Sequence, residues 1–287
     1  MIYKTLISVE QLCGALNAMR PQTLLVLDCS FDLTNPAAGE QAFAHSHIAG
    51  SHYVHLDRDL STVKTGFNGR HPLPTQEAFA ATMRGFGLTP QTQVVAYDNA
   101  GGMYAARLWW MLRWLGHESV AVLDGGFAAW NASGKAVTAN RSAAPVPSSF
   151  SAGNSLVRAI SYSELRTQIT RSDALLVLDA RSPDRFRGEN ETLDPVAGHI
   201  PHARNHFFKN NVGADGRFKP AAELKAIFEP ILTGRTPAAL VNQCGSGVTA
   251  CHNLLALEVA GFTGSALYSG SWSEWCAQAD TLIASGT

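Results

Sequence analysis

The chain contains itself twice. The octapeptide TLLVLDCS at 23–30 returns as ALLVLDAR at 174–181, so that Asp28 answers Asp179. HSHIAGSHYVHL at 45–56 returns as AGHIPHARNHFF at 197–208, pairing His47 with His199. VVAYDNAGGMYAARLWWML has its counterpart in ALVNQCGSGVTACHNLLAL, and LDGGFAAW at 123–130 in YSGSWSEW at 268–275. Gly102 to Gly247 and Trp130 to Trp275 keep one offset of 145 residues. Blocks repeated in one order describe two homologous domains, and 287 residues is enough chain for both. The expected division is a first domain over 1–135, a linker over 136–155 and a second domain over 156–287. The linker stretch is rich in Ser, Ala and Pro and has little apolar periodicity.

Each copy alternates short apolar runs with helical patterns: LLVLD, VVAYD and SVAVLDGG in the first, LLVLDA, AALVNQ and GSALYSG in the second. That alternation predicts an α/β fold in each copy, a mostly parallel sheet flanked by helices. Ligands of such sheets bind outside the carboxyl ends of the strands. One such end stands out. Ala238 to Val241 is apolar enough for a buried strand, and from Val248 onward apolar residues recur at helical spacing until Gly261. Cys244 therefore lies on a strand-to-helix loop, with Gly245 and Gly247 free to turn the backbone and aim N–H groups inward. Those amides and the helix dipole favour an anion, hence the thiolate, which is the nucleophilic form. Free cysteine is more often a small buried hydrophobe; the glycines on both sides of Ser246 set Cys244 apart from Cys13, Cys29, Cys251 and Cys276. Aligned on Gly102 and Gly247, Cys244 falls opposite Asn99, so the first copy keeps a loop but no thiol. The first domain is expected to be catalytically silent and to supply at most one wall of an inter-domain cleft.

Composition narrows the partners. A charged fraction of 16% and a net charge of -1 give no reason to expect nucleic acid or an anionic membrane. The start, MIYKTLISVEQL, lacks the basic opening and long apolar core of a signal peptide, and no apolar run is long enough to span a bilayer. Five scattered cysteines with no C-x-x-C pair argue against a disulfide framework or a zinc site and predict a reducing, cytoplasmic setting. His45, His47, His52 and His55 crowd one segment but lack a helical H-E-x-x-H frame, so no metal is expected. The glycine-bearing DNAGGMYAAR lacks the Lys-Ser/Thr of a phosphate loop, and RLWWMLRWLG reads as helix core. No organic cofactor is implied.

Two tandem copies, the second carrying CGSGVTA with GHIPHA upstream and GSWSEW at its close, resemble the two-domain rhodanese family of sulfurtransferases from about Ser8 to Trp275. The Cys-Gly-Ser-Gly-Val-Thr loop is most similar to the 3-mercaptopyruvate branch; thiosulfate-preferring members more often carry basic residues directly after the cysteine. The resemblance implies tandem rhodanese-like domains and sulfur transfer through a persulfide on Cys244. Gly245, Ser246, Gly247, Val248 and Thr249 would form its anion-stabilising loop, with cyanide, a thiol or thioredoxin as acceptor. It assigns Arg185, in DRFRG, to the carboxylate or sulfonate of the donor, a role that suits a planar guanidinium. It assigns Ser246, His71 (GRHPLP) and Asp57 (HLDRD) to a proton relay, the last two supplied by the first domain. Mercaptopyruvate users also carry a second arginine in an EPR stretch. Here that region reads GENETLDPVAGHIP and has none, which keeps thiosulfate open as donor. A cysteine phosphatase would need Cys-x5-Arg, and Ala250 stands at that arginine position. A persulfide carrier serving a partner protein would use the same loop.

Overall fold

In a computed structural model, which describes residues 2–19, 23–169, 175–279 and 281–286, the repeated LLVLD block forms the strands Leu24–Asp28 and Leu176–Asp179. Nearly every residue of both strands is buried, the pattern of parallel strands covered by helices on two faces. In the first unit the strands lie in the order Leu6–Ile7, Val120–Leu123, Gln93–Tyr97, Leu24–Asp28, His52–Tyr53, and every pairing is parallel. In the second the order is Arg158–Ala159, Ala266–Leu267, Leu240–Gln243, Leu176–Asp179, Arg204–Asn205, again parallel throughout. The duplicated sequence is thus a duplicated topology. Equivalent residues do equivalent work. His47 stacks on Phe43 and bonds its carbonyl through Nδ1, and His199 does the same with Phe186. Trp130 closes the core of one unit, Trp272 and Trp275 that of the other.

The compact units do not follow the repeat boundary everywhere. One gathers the chain up to Ser61 with Pro74–Leu156 and Val212–Phe218; the other gathers Thr62–Leu73, Val157–Asn211 and the chain from Lys219 onward. His71, expected as a first-domain residue, therefore belongs with the second unit. It lies where the first copy is longer: 55 residues separate His47 from Gly102, against 48 from His199 to Gly247. The stretch read as a linker runs along the first unit. Val137–Thr138 pairs antiparallel with His47–Ile48, and Gly153 donates to the Leu115 carbonyl at 2.8 Å.

The strand before Cys244 is Leu240–Gln243, two residues later than its apolar run suggests, because Pro237–Ala239 forms a 3-10 turn. The helix is Thr249–Val259, and Gly261 ends it in the left-handed region at φ +85°. Apolar spacing foresaw one buried stripe, yet everything from Ala250 to Leu257 is buried. His252 and Asn253 are tolerated there because both meet Asn211, which also bonds His206. The helix Ala105–Trp114 of the first unit, with Trp109 and Trp110 fully buried, is core as expected. Among the described residues no helix is long and apolar enough to cross a membrane.

Candidate active site

The Cys244 loop is strapped from one side. Ser271 Oγ accepts the Cys244 N–H at 3.1 Å, Trp272 N–H donates to the Cys244 carbonyl at 3.0 Å, and Ser273 N–H donates to that of Gly245 at 2.9 Å. Inside the loop, the Gly247 N–H points at Cys244 Sγ, 3.1 Å away. Gly247 holds φ +76°, and a Cβ there would be driven into the Ser269 carbonyl. Val248 caps the following helix and Thr249 begins it. Cys244 is only 2% exposed, so the sulfur is shielded yet faced by a backbone donor.

The first copy shows what such a loop holds. Phe127 N–H donates to the Asp98 carbonyl as Trp272 N–H does to that of Cys244. Likewise Cys29 N–H meets the Tyr97 carbonyl as Ala180 N–H meets that of Gln243. The residue opposite Cys244 is therefore Asp98, not Asn99. The first loop is one residue longer, so an alignment anchored on its glycines slips by one at the strand end. The Asp98 carboxylate accepts N–H bonds from Ala100, Gly102 and Tyr104 at 2.8 Å and from Ala105 at 2.9 Å. A carboxyl group fills the cradle of the first copy, in the position where the second copy has its thiol.

His71 reaches the loop on the segment Thr62–Leu73. The segment is closed by the Thr62 N–H bond to the Pro72 carbonyl and tied down by Gln278 Nε2 on the Phe67 carbonyl. Gly69, at φ +85°, allows close approach: a Cβ there would lie 2.8 Å from the Gly270 carbonyl. Arg70 N–H then bonds Ser273 Oγ at 3.0 Å, and His71 Nδ1 stands 2.7 Å from Ser246 Oγ. Both members of that pair are buried. Asp57 lies in the first unit, in the short helix Leu56–Asp59, where its N–H is capped by His55 Nδ1 at 3.1 Å.

Arg185 sits at the loop mouth, gripped by Glu191 through Nε at 3.1 Å and Nη2 at 2.8 Å. It belongs to a chain of alternating charges that local sequence did not disclose: Asp179, Arg181, Glu191, Arg185, Asp194, Arg70. Arg181 is buried over Trp272, 4.9 Å from the ring centroid, with both Asp179 oxygens in reach of Nε. Burial pushes the Glu191 carboxyl up, but Arg185 and the Leu193 and Asp194 amides outweigh it and hold the group below its ordinary value. At Asp194 burial wins, and the carboxyl lies above the usual range despite Arg70. Arg187, by contrast, pairs with Glu189 at the surface. Glu191 and Asp194 stand in the GENETLDP region that lacks an arginine; these two of its three acids were the available signal for paired cations elsewhere. Arg70 had no signal beyond adjacency to His71.

The loop glycines give a first test. Gly247→Ala forces a side chain into a left-handed backbone and a carbonyl, and should cost about 2–4 kcal/mol. In a thermal melt that is a Tm lower by roughly 5–10 °C. An unchanged Tm would mean that the loop relaxes freely and is not a fixed cradle.

A Rhodanese-like domain model matches residues 12–133 and again 161–278. The chain is 45% identical over 283 residues to a Pseudomonas aeruginosa protein named "Probable 3-mercaptopyruvate sulfurtransferase", covering 98% of each. It is 32% identical over 297 residues to a thiosulfate sulfurtransferase of Cricetulus griseus, covering 100% of this chain and 97% of that one. Among solved structures, SseA of Escherichia coli, described as a 3-mercaptopyruvate sulfotransferase with the rhodanese fold, superposes with a TM-score of 0.79 at 27% identity. That match covers 94% of this chain and 99% of SseA.

Proposed function

The chain belongs to the rhodanese family, and from that premise we propose that it is a sulfurtransferase moving a sulfane sulfur from 3-mercaptopyruvate to a thiol or cyanide. The Cys244 thiolate attacks the donor sulfur, the carbon–sulfur bond breaks, and the bonding pair leaves with carbon as the enolate of pyruvate. The enzyme retains Cys–S–SH, and a proton must reach the departing enolate. The observation that carries this donor assignment is the 2.7 Å hydrogen bond between His71 Nδ1 and Ser246 Oγ, two residues from the nucleophile. Ser246 gives the proton and His71 restores it. Asp57 enters the relay on the resemblance alone. The amides of Gly245, Ser246, Gly247, Val248 and Thr249 stabilise thiolate and persulfide, as four amides do for Asp98 in the first copy. Arg185 binds the donor's anionic head. A thiol, reduced thioredoxin or cyanide then removes the outer sulfur in a second displacement, which predicts ping-pong kinetics. Five free thiols suit the cytoplasm, and neither nucleic acid nor membrane enters the cycle.

The second reading, thiosulfate as donor, rests on GENETLDP having no arginine. Steady-state turnover with both donors, against cyanide and a dithiol, separates them. We expect kcat/KM for mercaptopyruvate to exceed that for thiosulfate by about 10²-fold, the usual worth of a positioned acid. A thiosulfate preference would reverse the assignment, and negligible rates with a persulfide on Cys244 would make the chain a sulfur carrier.

A further inference from the structure

The arginine absent from GENETLDP has a substitute in space. A Cβ built on Gly245 would lie 2.7 Å from Arg70 Nη2 and 3.5 and 3.7 Å from Arg185 Nη2 and Nη1. Two guanidiniums thus converge over the residue next to the nucleophile, one from 62–73 and one from the helix Pro183–Arg187. We propose that Arg70 is the second donor-binding residue of this site and that Arg70 and Arg185 together receive the anionic head of the sulfur donor above Gly245.

Three observations support it. Asp194, only 3% exposed at its side chain, pairs with Nη1 of Arg70 and stands 3.5 Å from Nη2 of Arg185, so one buried carboxylate fixes both cations. Arg70 is thereby held through Nη1 while Nη2 is turned to the loop. Next, the two arginines keep 25% and 19% of their side chains exposed, whereas Arg181, the other cation of the chain, keeps 1%. Arg181 is built in; Arg70 and Arg185 are presented. Lastly, the backbone at Gly245 is not in the left-handed region, so its conformation does not demand glycine. What its missing side chain provides is room where the guanidiniums meet. GENETLDP, without an arginine of its own, supplies through Glu191 and Asp194 the carboxylates that aim two arginines rooted elsewhere.

The inference rests on Cys244 being the attacking group, and its test does not depend on turnover. Iodoacetate and iodoacetamide alkylate the same sulfur through the same carbon; one carries a carboxylate and the other a neutral amide. In the intact protein, the ratio of their rates at Cys244, followed by peptide mass mapping, reads the anion site directly. Arg70→Ala should lower that ratio about 10- to 100-fold, the worth of a lost charge-assisted hydrogen bond. The iodoacetamide rate should hold, and Arg70→Lys should recover part of the ratio because it keeps the charge without the fork. With mercaptopyruvate, Arg70→Ala should raise KM by a similar factor and change kcat little. An unchanged ratio overturns the proposal. A parallel fall in both alkylation rates also overturns it, since that would make Arg70 a prop for the loop. If the unsubstituted protein ignores mercaptopyruvate, the donor assignment fails while the alkylation ratio still decides Arg70.

Discussion

Cys244→Ser should abolish turnover, by at least about 10⁴-fold, while leaving the protein folded. The replacement keeps the shape of the side chain and its bond to the Gly247 N–H, now 3.1 Å from sulfur. It keeps the straps from Ser271, Trp272 and Ser273, which act on backbone atoms of residues 244 and 245. Stability should therefore change by less than about 1 kcal/mol, a Tm shift of a few degrees. A hydroxyl at this position stays protonated and cannot accept sulfur to form a persulfide, so the covalent step has no substitute. Donor-treated wild type should gain the mass of one sulfur atom on the peptide containing residue 244; the serine variant should gain none. Retained turnover in the variant, or sulfur found on Cys251 instead, would remove Cys244 from the centre of the mechanism. Cys251, buried with its thiol 3.3 Å from the Gly247 carbonyl, is the thiol to watch.

Much of this was legible before any coordinate. Repeated blocks foretold two sheets of one topology because each block carries a strand and the turn that ends it, and strand order follows from block order. The setting of Cys244 was legible because strand, glycines and helix follow one another within a dozen residues, so local rules suffice. What escaped depends on contacts far apart in sequence. The equivalence of Asp98 with Cys244 was hidden by one extra loop residue, and only the carbonyls that Phe127 and Trp272 bond reveal it. Without it, nothing in the sequence marks Asp98 as a carboxyl held by four backbone amides. Arg70 was hidden more thoroughly. Its partner Asp194 is 124 residues away, and its approach to Gly245 depends on how 62–73 packs rather than on any motif around it. The missing arginine looked like a defect in the donor site because a motif records where a residue usually starts, whereas binding depends on where a guanidinium ends.

The sharpest separation of the two donors should come from Ser246→Ala and His71→Asn. Transfer from mercaptopyruvate expels a carbon-based enolate that has to be protonated. Transfer from thiosulfate expels sulfite, which leaves with its electron pair and needs no proton. A relay through Ser246 and His71 therefore serves the first reaction alone. Each substitution should lower kcat for mercaptopyruvate by about 10²-fold, the usual worth of a positioned acid, and the double variant should lose little more than either single one. With thiosulfate, kcat should stay within about threefold, because Cys244, its Gly247 amide and Arg185 are untouched. The single variants remove one buried hydrogen bond, 2.7 Å long, so a melt should show a loss of only about 1 kcal/mol. If both donors slow equally, the pair is scaffolding for the loop. If neither slows, protonation comes from solvent, and the 2.7 Å contact orders residues 62–73 without entering the chemistry.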